Sequence, residues 1–187
     1  TAGAYDVANS CRFNSADNAY MGKTSGANGT ATSGTFSCWV KRGNLGVTSS
    51  VMSQVEDGNN FMILRFTSGD ALDLRWADGG TSTSINLTTT RLFRDPSAWM
   101  NIVVKFLTSD GTAANRVKIY INGVQETSFS STEYPAENEV LYGNVSSGVF
   151  RIGDNGFAAS GEDFDGYIAE VVWLDNTSTT ASDFGEF

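Results

Sequence analysis

The stretch Arg116–Phe129, RVKIYINGVQETSF, constrains the fold more than any other part of the chain. Val117, Ile119 and Ile121 alternate with Lys118, Tyr120 and Asn122, the period of a strand with one apolar face. Asn122-Gly123 supplies two residues that accept positive φ, as a type I′ turn requires. The twist of that turn matches the twist of paired strands. Val124, Thr127 and Phe129 are expected to continue on the returning strand, giving a long antiparallel hairpin.

The rest of the chain points the same way. Its 187 residues suit one domain, and short apolar segments are separated by Ser, Thr and Asn with 20 Gly. The 4 Trp, 6 Tyr and 12 Phe are bulk enough for a sizeable core. In Thr35–Arg42, Phe36, Cys38 and Val40 share one face, and Trp99–Leu107 reads as a core strand. Phe61–Phe66 is apolar on both faces apart from Arg65, which predicts a central strand covered on both sides in places. Further strands are expected at Cys11–Phe13, Ala19–Met21, Val51–Gln54, Ala71–Trp76, Ser82–Leu87, Val149–Ile152 and Phe164–Leu174. In the last, Ile168, Val172 and Leu174 are placed near one face and Tyr167, Val171 and Trp173 on the other. Tyr5 and Val7 fall in an extended lead-in, Arg91–Pro96 in an irregular connection and Thr180–Glu186 in a helical turn. Turns roughly every 8–12 residues predict an all-β, two-sheet antiparallel sandwich forming a single domain over 1–187.

Net charge is −9 and His is absent. Without a basic surplus to neutralise phosphates, nucleic acid and anionic membranes are poor partners. The lack of His removes the Ser-His-Asp relay and the usual catalytic zinc ligands. No apolar run approaches the roughly 20 residues of a membrane helix, so no membrane insertion is expected. There is no basic-then-apolar leader and no initiator Met, so the chain is expected to start at a processed or artificial boundary. Cys11 and Cys38 both lie in expected strands. They pair only if their Cβ atoms come within about 3.5–4.5 Å; two thiols acting as small core residues is the preferred reading.

Eight segments in order carry a resemblance: SCRFN, TFSCWVKRGNLG, FRDPSAWMNIVVKF, NRVKIYINGVQETSF, a Tyr134-Pro135 excursion, FRIGD, FDGYIAEVVWLDN and SDFGEF. Together they resemble the laminin-G-like and pentraxin-like modules of the concanavalin A-like lectin/glucanase superfamily, over nearly the whole chain. More narrowly they resemble the version found in tailed-bacteriophage virion proteins, on fibres and appendages. The resemblance implies a jelly-roll sandwich. It also implies a disulfide from the Cys38 position to the Trp99–Phe106 strand, but Ile102 and Val103 stand where the partner would be. Assembly in a reducing bacterial cytoplasm accounts for unbridged thiols. Related phage chains often run on beyond the DFGEF segment, so a fragment or a compact version is expected.

Site expectations follow from the same likeness. Relatives commonly bind calcium at one rim through loop carboxylates and amides. The matching loops here offer Asp57, Asn59, Asn60 and Asp154, with turn building as the competing role for the same residues. No cofactor is required; calcium is the optional one. Glu162, Asp163 and Asp165 invite comparison with glycosidases, yet two working carboxylates need alternate positions on one strand, and these sit between Gly161 and Gly166 as a turn. Of Trp39, Trp76, Trp99 and Trp173, at least three are assigned to the core. Trp76, beside Arg75 and Asp78-Gly79, is the expected rim residue for stacking on sugar. Asn28, Asn86, Asn144 and Asn176 begin sequons that carry no glycan in a bacterial host.

The function expected is a non-enzymatic virion surface module, on a tail fibre, appendage or capsid decoration, that binds host-surface glycan. The alternative is a purely structural spacer or decoration making only protein–protein contacts. Other virion proteins are its expected partners, and the virion surface its location. The excursion Ser130–Gly148 has no strand periodicity but holds Tyr134, Leu141 and Tyr142. It is expected to pack over the sandwich or across a subunit boundary of a homo-oligomer, a trimer by first choice.

Overall fold

A computed structural model describes residues 8–26, 30–79, 83–143, 145–157 and 161–185. The lead-in at Tyr5 and Val7 lies outside these. Thirteen strands run β1 Cys11–Phe13, β2 Met21–Thr24, β3 Ser33–Arg42, β4 Ser49–Asp57, β5 Asn60–Phe66, β6 Ala71–Ala77, β7 Thr83–Leu92, β8 Met100–Leu107, β9 Val117–Ile121, β10 Val124–Gln125, β11 Phe129–Glu133, β12 Val149–Ile152 and β13 Gly166–Asp175. They form two antiparallel sheets, one ordered β1-β13-β3-β8-β9-β10 and the other β11-β7-β6-β5-β4-β12-β2. The expected jelly-roll sandwich is the observed architecture. The core between the sheets takes Phe36, Cys38 and Val40 from β3, Ile102, Val104 and Phe106 from β8, and Met62, Leu64 and Phe66 from β5. Each set alternates with residues on the opposite face, as the pleat dictates.

Asn122 and Gly123 have φ of 49° and 75°, the two positive values of the expected turn. The long hairpin is not formed, however. Only Val124 and Gln125 pair back onto β9, opposite Ile121 and Tyr120, and Phe129 pairs with Thr89 of the other sheet. Gln125 and Thr127 offer no apolar row to hold the returning strand. Glu126 makes the last bond of the hairpin, its N donating to Ile119 O at 2.8 Å, while its carboxylate accepts from Arg91 of β7 as the chain crosses between sheets.

Four further expectations are corrected. Glu170 sits at φ 50° in a bulge of β13, where the register shifts between Ala169 and Val172. The extra residue swaps the faces, so Ile168, Val171 and Trp173 pack on the core. Arg91 and Leu92 extend β7 rather than starting an irregular connection, and β2 begins two residues later than expected. The excursion begins as a strand, β11 at the edge of the second sheet, and only then becomes irregular.

That irregular part packs over the sandwich. Leu141 and Tyr142 are buried in the core, with Tyr134 and Val145 against it. Leu141 N donates to Ala31 O at 2.9 Å, Asn138 N to Thr108 O at 2.9 Å, and Tyr142 Oη to Glu56 at 2.7 Å. Gly143 lies directly under Trp173, and a Cβ there would run into the indole. The cysteines are both free, but only Cys38 is a core residue; Cys11 is exposed, which corrects the expectation of two core thiols. Cys11 faces Ile168 of β13, which in turn faces Val40 of β3, so Cys11 and Cys38 stand two strands apart. Two strand spacings alone are roughly 9–10 Å, and Cys38 lies two residues further along β3 than the position in register, beyond a bridge. Cys38 is opposite Ile102, and burial pushes its thiol up.

Candidate functional site

Trp76 is fully buried in the core beside Met62 and Ile85, its strand neighbours. Its parity in β6 matches Leu72 and Leu74, so the indole is packed between the sheets and offers no face to a sugar; the rim expectation is corrected. Trp99, before β8, and Trp173 of β13 are the partly exposed tryptophans.

The four candidate calcium ligands are not brought together. Asp57 closes its own turn, with Oδ1 accepting from Asn59 N at 2.8 Å and Asn60 Nδ2 reaching both carboxylate oxygens at 3.1 and 3.2 Å. Asn60 Oδ1 is taken by Gly79 N at 2.7 Å. Asp154 lies past the end of β12, where its carbonyl accepts from Ser53 Oγ, and its carboxylate is ion-paired to Arg151 at 2.6 Å. Ser53 and Asp57 are four residues apart on β4, roughly 13 Å of strand. Among the described residues no group of three or more His, Cys, Asp or Glu converges on a point where a metal would sit. These donors do not fit a shared calcium ion.

The acidic turn is likewise divided among partners. Glu162 Oε2 accepts from Arg65 and from Asn155 Nδ2, at 2.9 and 3.1 Å. Asp165 pairs with Arg12 at 3.0 Å. Asp163 is held against Asp154; burial, then the Asp154 charge and their hydrogen bond, push its carboxyl above the ordinary range.

A more ordered polar array lies on the outer face of the seven-stranded sheet. Because Leu64 and Phe66 of β5 and Leu72 and Leu74 of β6 point inward, Arg65, Asp73 and Arg75 face outward. Asp73 is nevertheless inaccessible to water. Its Oδ2 accepts from Arg65 Nε at 3.0 Å and Arg75 Nε at 2.9 Å, and its Oδ1 from Thr88 Oγ1 at 2.8 Å. Three donors, two of them charged, offset the desolvation of the carboxylate. Arg65 reaches on to Glu162, carried by the loop after β12. The same loop sets Phe157 edge-on against Phe61, with ring centroids 5.6 Å apart. Two guanidinium groups and two carboxylates leave this patch electrically balanced. Arg75 is 43 % exposed, and beside it in register is Asn86, whose buried Oδ1 has no hydrogen-bond partner among the described residues.

This array escapes a reading for acidic clusters, because its members come from four separated segments. One signal was available: Arg65, Asp73 and Arg75 share the outward parity of two adjacent strands whose other faces are wholly apolar.

A family model described as the concanavalin A-like lectin/glucanases superfamily matches residues 14–182. No curated protein matches the chain in sequence. Among solved structures, domain 4 of an extracellular GH43 arabinanase from Geobacillus stearothermophilus, in complex with arabinotriose, is similar at 22 % identity with a TM-score of 0.60, covering 86 % of this chain and 68 % of that one. The LG4-5 domains of mouse laminin alpha1 give a TM-score of 0.64 at 11 % identity, covering 89 % of this chain and 42 % of theirs. The CBM40 of a Ruminococcus gnavus IT-sialidase, bound to alpha2,3 sialyllactose, gives 0.56 at 13 %, covering 87 % and 95 %. With the sandwich and most of the sequence accounted for, the chain belongs to the laminin G-like domains of the concanavalin A-like lectin/glucanases superfamily.

Proposed function

We propose that this domain is a non-enzymatic glycan-binding module whose ligand lies on the outer face of the seven-stranded sheet. The observation that carries the reading is the Arg65–Asp73–Arg75 array, in which a buried carboxylate fixes two guanidinium groups by their Nε atoms. Rigid, pre-oriented donors and acceptors with no net charge suit the hydroxyls of a sugar, because little ordering remains to be done on binding. The arabinotriose and sialyllactose seen with two similar folds support the ligand class. The likeness to phage appendage segments supports a place on a virion surface, with other virion proteins and further copies of the chain as partners.

Binding of the purified chain to a glycan array, followed by titration of the best ligand, tests this. Arg75→Ala is expected to weaken binding by about tenfold, with a smaller loss in unfolding midpoint because Asp73 keeps Arg65 and Thr88 as donors. Glycan hydrolysis lost on changing Glu162 or Asp165 would overturn the non-enzymatic reading. The purely structural reading predicts no sugar affinity and a regular lattice position on an assembled particle.

A further inference from the structure

At one end of the sandwich, between the β7–β8 connection and the Asn122-Gly123 turn, lies a pocket of about 200 Å³ lined by Arg91, Arg94, Asp95, Trp99 and Asn122 among others. It shares no residue with the sheet-face array. We propose that it is a second binding site, for a carboxylate-bearing sugar, with the carboxylate on Arg94 and Arg91 and the ring against Trp99.

Arg94 is positioned before any ligand arrives. Its Nε donates to Asp70 Oδ2 at 3.0 Å, and Asp70 is itself anchored by the fully buried Arg42 at 3.0 Å and by Gly46 N at 2.9 Å. Among the described residues neither terminal nitrogen of Arg94 has a protein partner, and the side chain is 61 % exposed. A guanidinium tied down by Nε presents its two Nη atoms as a fork, the geometry that takes a carboxylate in two parallel hydrogen bonds. Arg91 is similarly held, over the Phe93 ring at 5.1 Å with Nη1 on Glu126 at 2.8 Å.

Charge decides the class of ligand. Arg91 and Glu126 cancel, whereas Arg42 and Arg94 share the one carboxylate of Asp70, which leaves one positive charge over. Asp95 also lines the pocket, and the Ser97 N–H and hydroxyl it accepts, at 2.8 and 2.6 Å, are neutral; among the described residues it makes no ion pair with Arg94, and its charge is set against Lys41. A surplus cation on a chain with 12 basic against 21 acidic residues is an exception to its surface, and it matches one carboxylate. The sheet-face array is balanced and has no such preference. Trp99, half-buried and held edge-on by Tyr167 at 6.4 Å, supplies the apolar wall that a sugar ring needs and an inorganic anion does not.

Titration of the whole chain with glucuronate, galacturonate and N-acetylneuraminate, each against its neutral counterpart, tests the site, with backbone amide shifts followed by NMR. An acidic sugar is expected to bind about tenfold more tightly than the neutral one, to weaken in high salt, and to shift Arg94, Trp99 and Asn122. Arg94→Lys keeps the charge but loses the fork, and is expected to weaken binding about fivefold or more. Arg91→Gln does not touch Asp70 and keeps a neutral donor toward Glu126; it is expected to weaken binding by more than any change in its unfolding midpoint accounts for. Equal affinity for acidic and neutral sugars overturns the proposal. So does the absence of any response to about 10 mM acidic sugar. Shifts confined to Arg65, Arg75 and Asn86 overturn it too, while upholding the sheet-face reading; loss of neutral-glycan binding alone would sink that reading and leave this one standing.

Discussion

Arg42 Nη2 lies 3.0 Å from Asp70 Oδ1, with the arginine fully buried and the aspartate nearly so. The pair ties the end of β3 to the β5–β6 turn, and Arg42 Nη1 adds the β7–β8 connection by donating to Phe93 O at 2.6 Å. The guanidinium also lies over the Phe66 ring at 4.4 Å. Breaking one side of a buried ion pair costs more than the pair itself contributes, since a charge is left without a partner. Asp70 has a φ of 68°, which Asn tolerates, so Asp70→Asn removes the charge while keeping the turn. Urea denaturation is expected to show a loss of about 3 kcal/mol.

Acid should act on the same group. The hydrogen bond from Gly46 N, and then Arg94 and Arg42, hold the Asp70 carboxyl below the ordinary range against the opposing effect of burial. A carboxyl whose folded pKa is depressed contributes stability above its unfolded pKa of about 3.9 and loses it as pH falls through the folded value. Asp163 has the opposite sign, because its pKa is raised beside Asp154. Its ionisation weakens the fold as pH rises through the folded value. Asp163→Asn keeps a donor toward Asp154 and is therefore expected to raise the thermal midpoint at pH 7 and to leave it nearly unchanged below about pH 4. A calorimetric scan at the two pH values decides it.

Gly143 is required by space rather than by backbone conformation. Its position under Trp173 leaves no room for a methyl group, and Trp173 is itself wedged between Phe106 and Phe150 at 6.0 and 5.7 Å. Gly143→Ala is expected to cost about 1–3 kcal/mol, the range for overpacking in a filled core. Gly46→Ala has open space around the added carbon but a φ of 72°, so a loss there would report backbone strain instead.

How much of this was legible in the sequence depends on the range over which each feature is decided. Alternation in Phe36, Cys38 and Val40 is local, and it placed β3 and its core face correctly. The same parity extends to Arg42, which continues that row and is therefore buried and partnered. The turn at Asn122-Gly123 was legible because its φ values are a property of two residues. The length of its returning limb was not, since the crossing at Glu126 depends on Arg91, 35 residues away. The bulge at Glu170 carries no Gly or Asn to announce it, and a one-residue bulge inverts every face after it. The array around Asp73 reaches Glu162 across 97 residues through Arg65. Only the outward parity of Arg65, Asp73 and Arg75 was on view; their convergence was decided by topology. Trp76 was misplaced for the opposite reason, because polar neighbours at Arg75 and Asp78 outweighed its own inward parity with Leu72 and Leu74.

The segment after β11 gives a final test, because it is irregular in backbone yet contributes to the core. Leu141 and Tyr142 are buried, and the backbone around them is bonded to Ala31 and Thr108. Thr108 Oγ1 adds a hydrogen bond to Glu139 O at 2.6 Å, and Arg116 Nη1 one to Pro135 O at 2.9 Å. Surface loops tolerate truncation of an apolar side chain, whereas core strands do not. If this segment belongs to the core, Leu141→Ala should cost about 2–5 kcal/mol, as a leucine in a strand would. Val140, exposed beside it, is the internal control, and Val140→Ala should change stability by less than about 0.5 kcal/mol. Limited proteolysis under native conditions should spare the 134–143 stretch in the parent chain. In Leu141→Ala it should open there first, because the loop loses its only leucine anchor. Equal urea midpoints for the two variants would show that the loop merely rests on the sandwich.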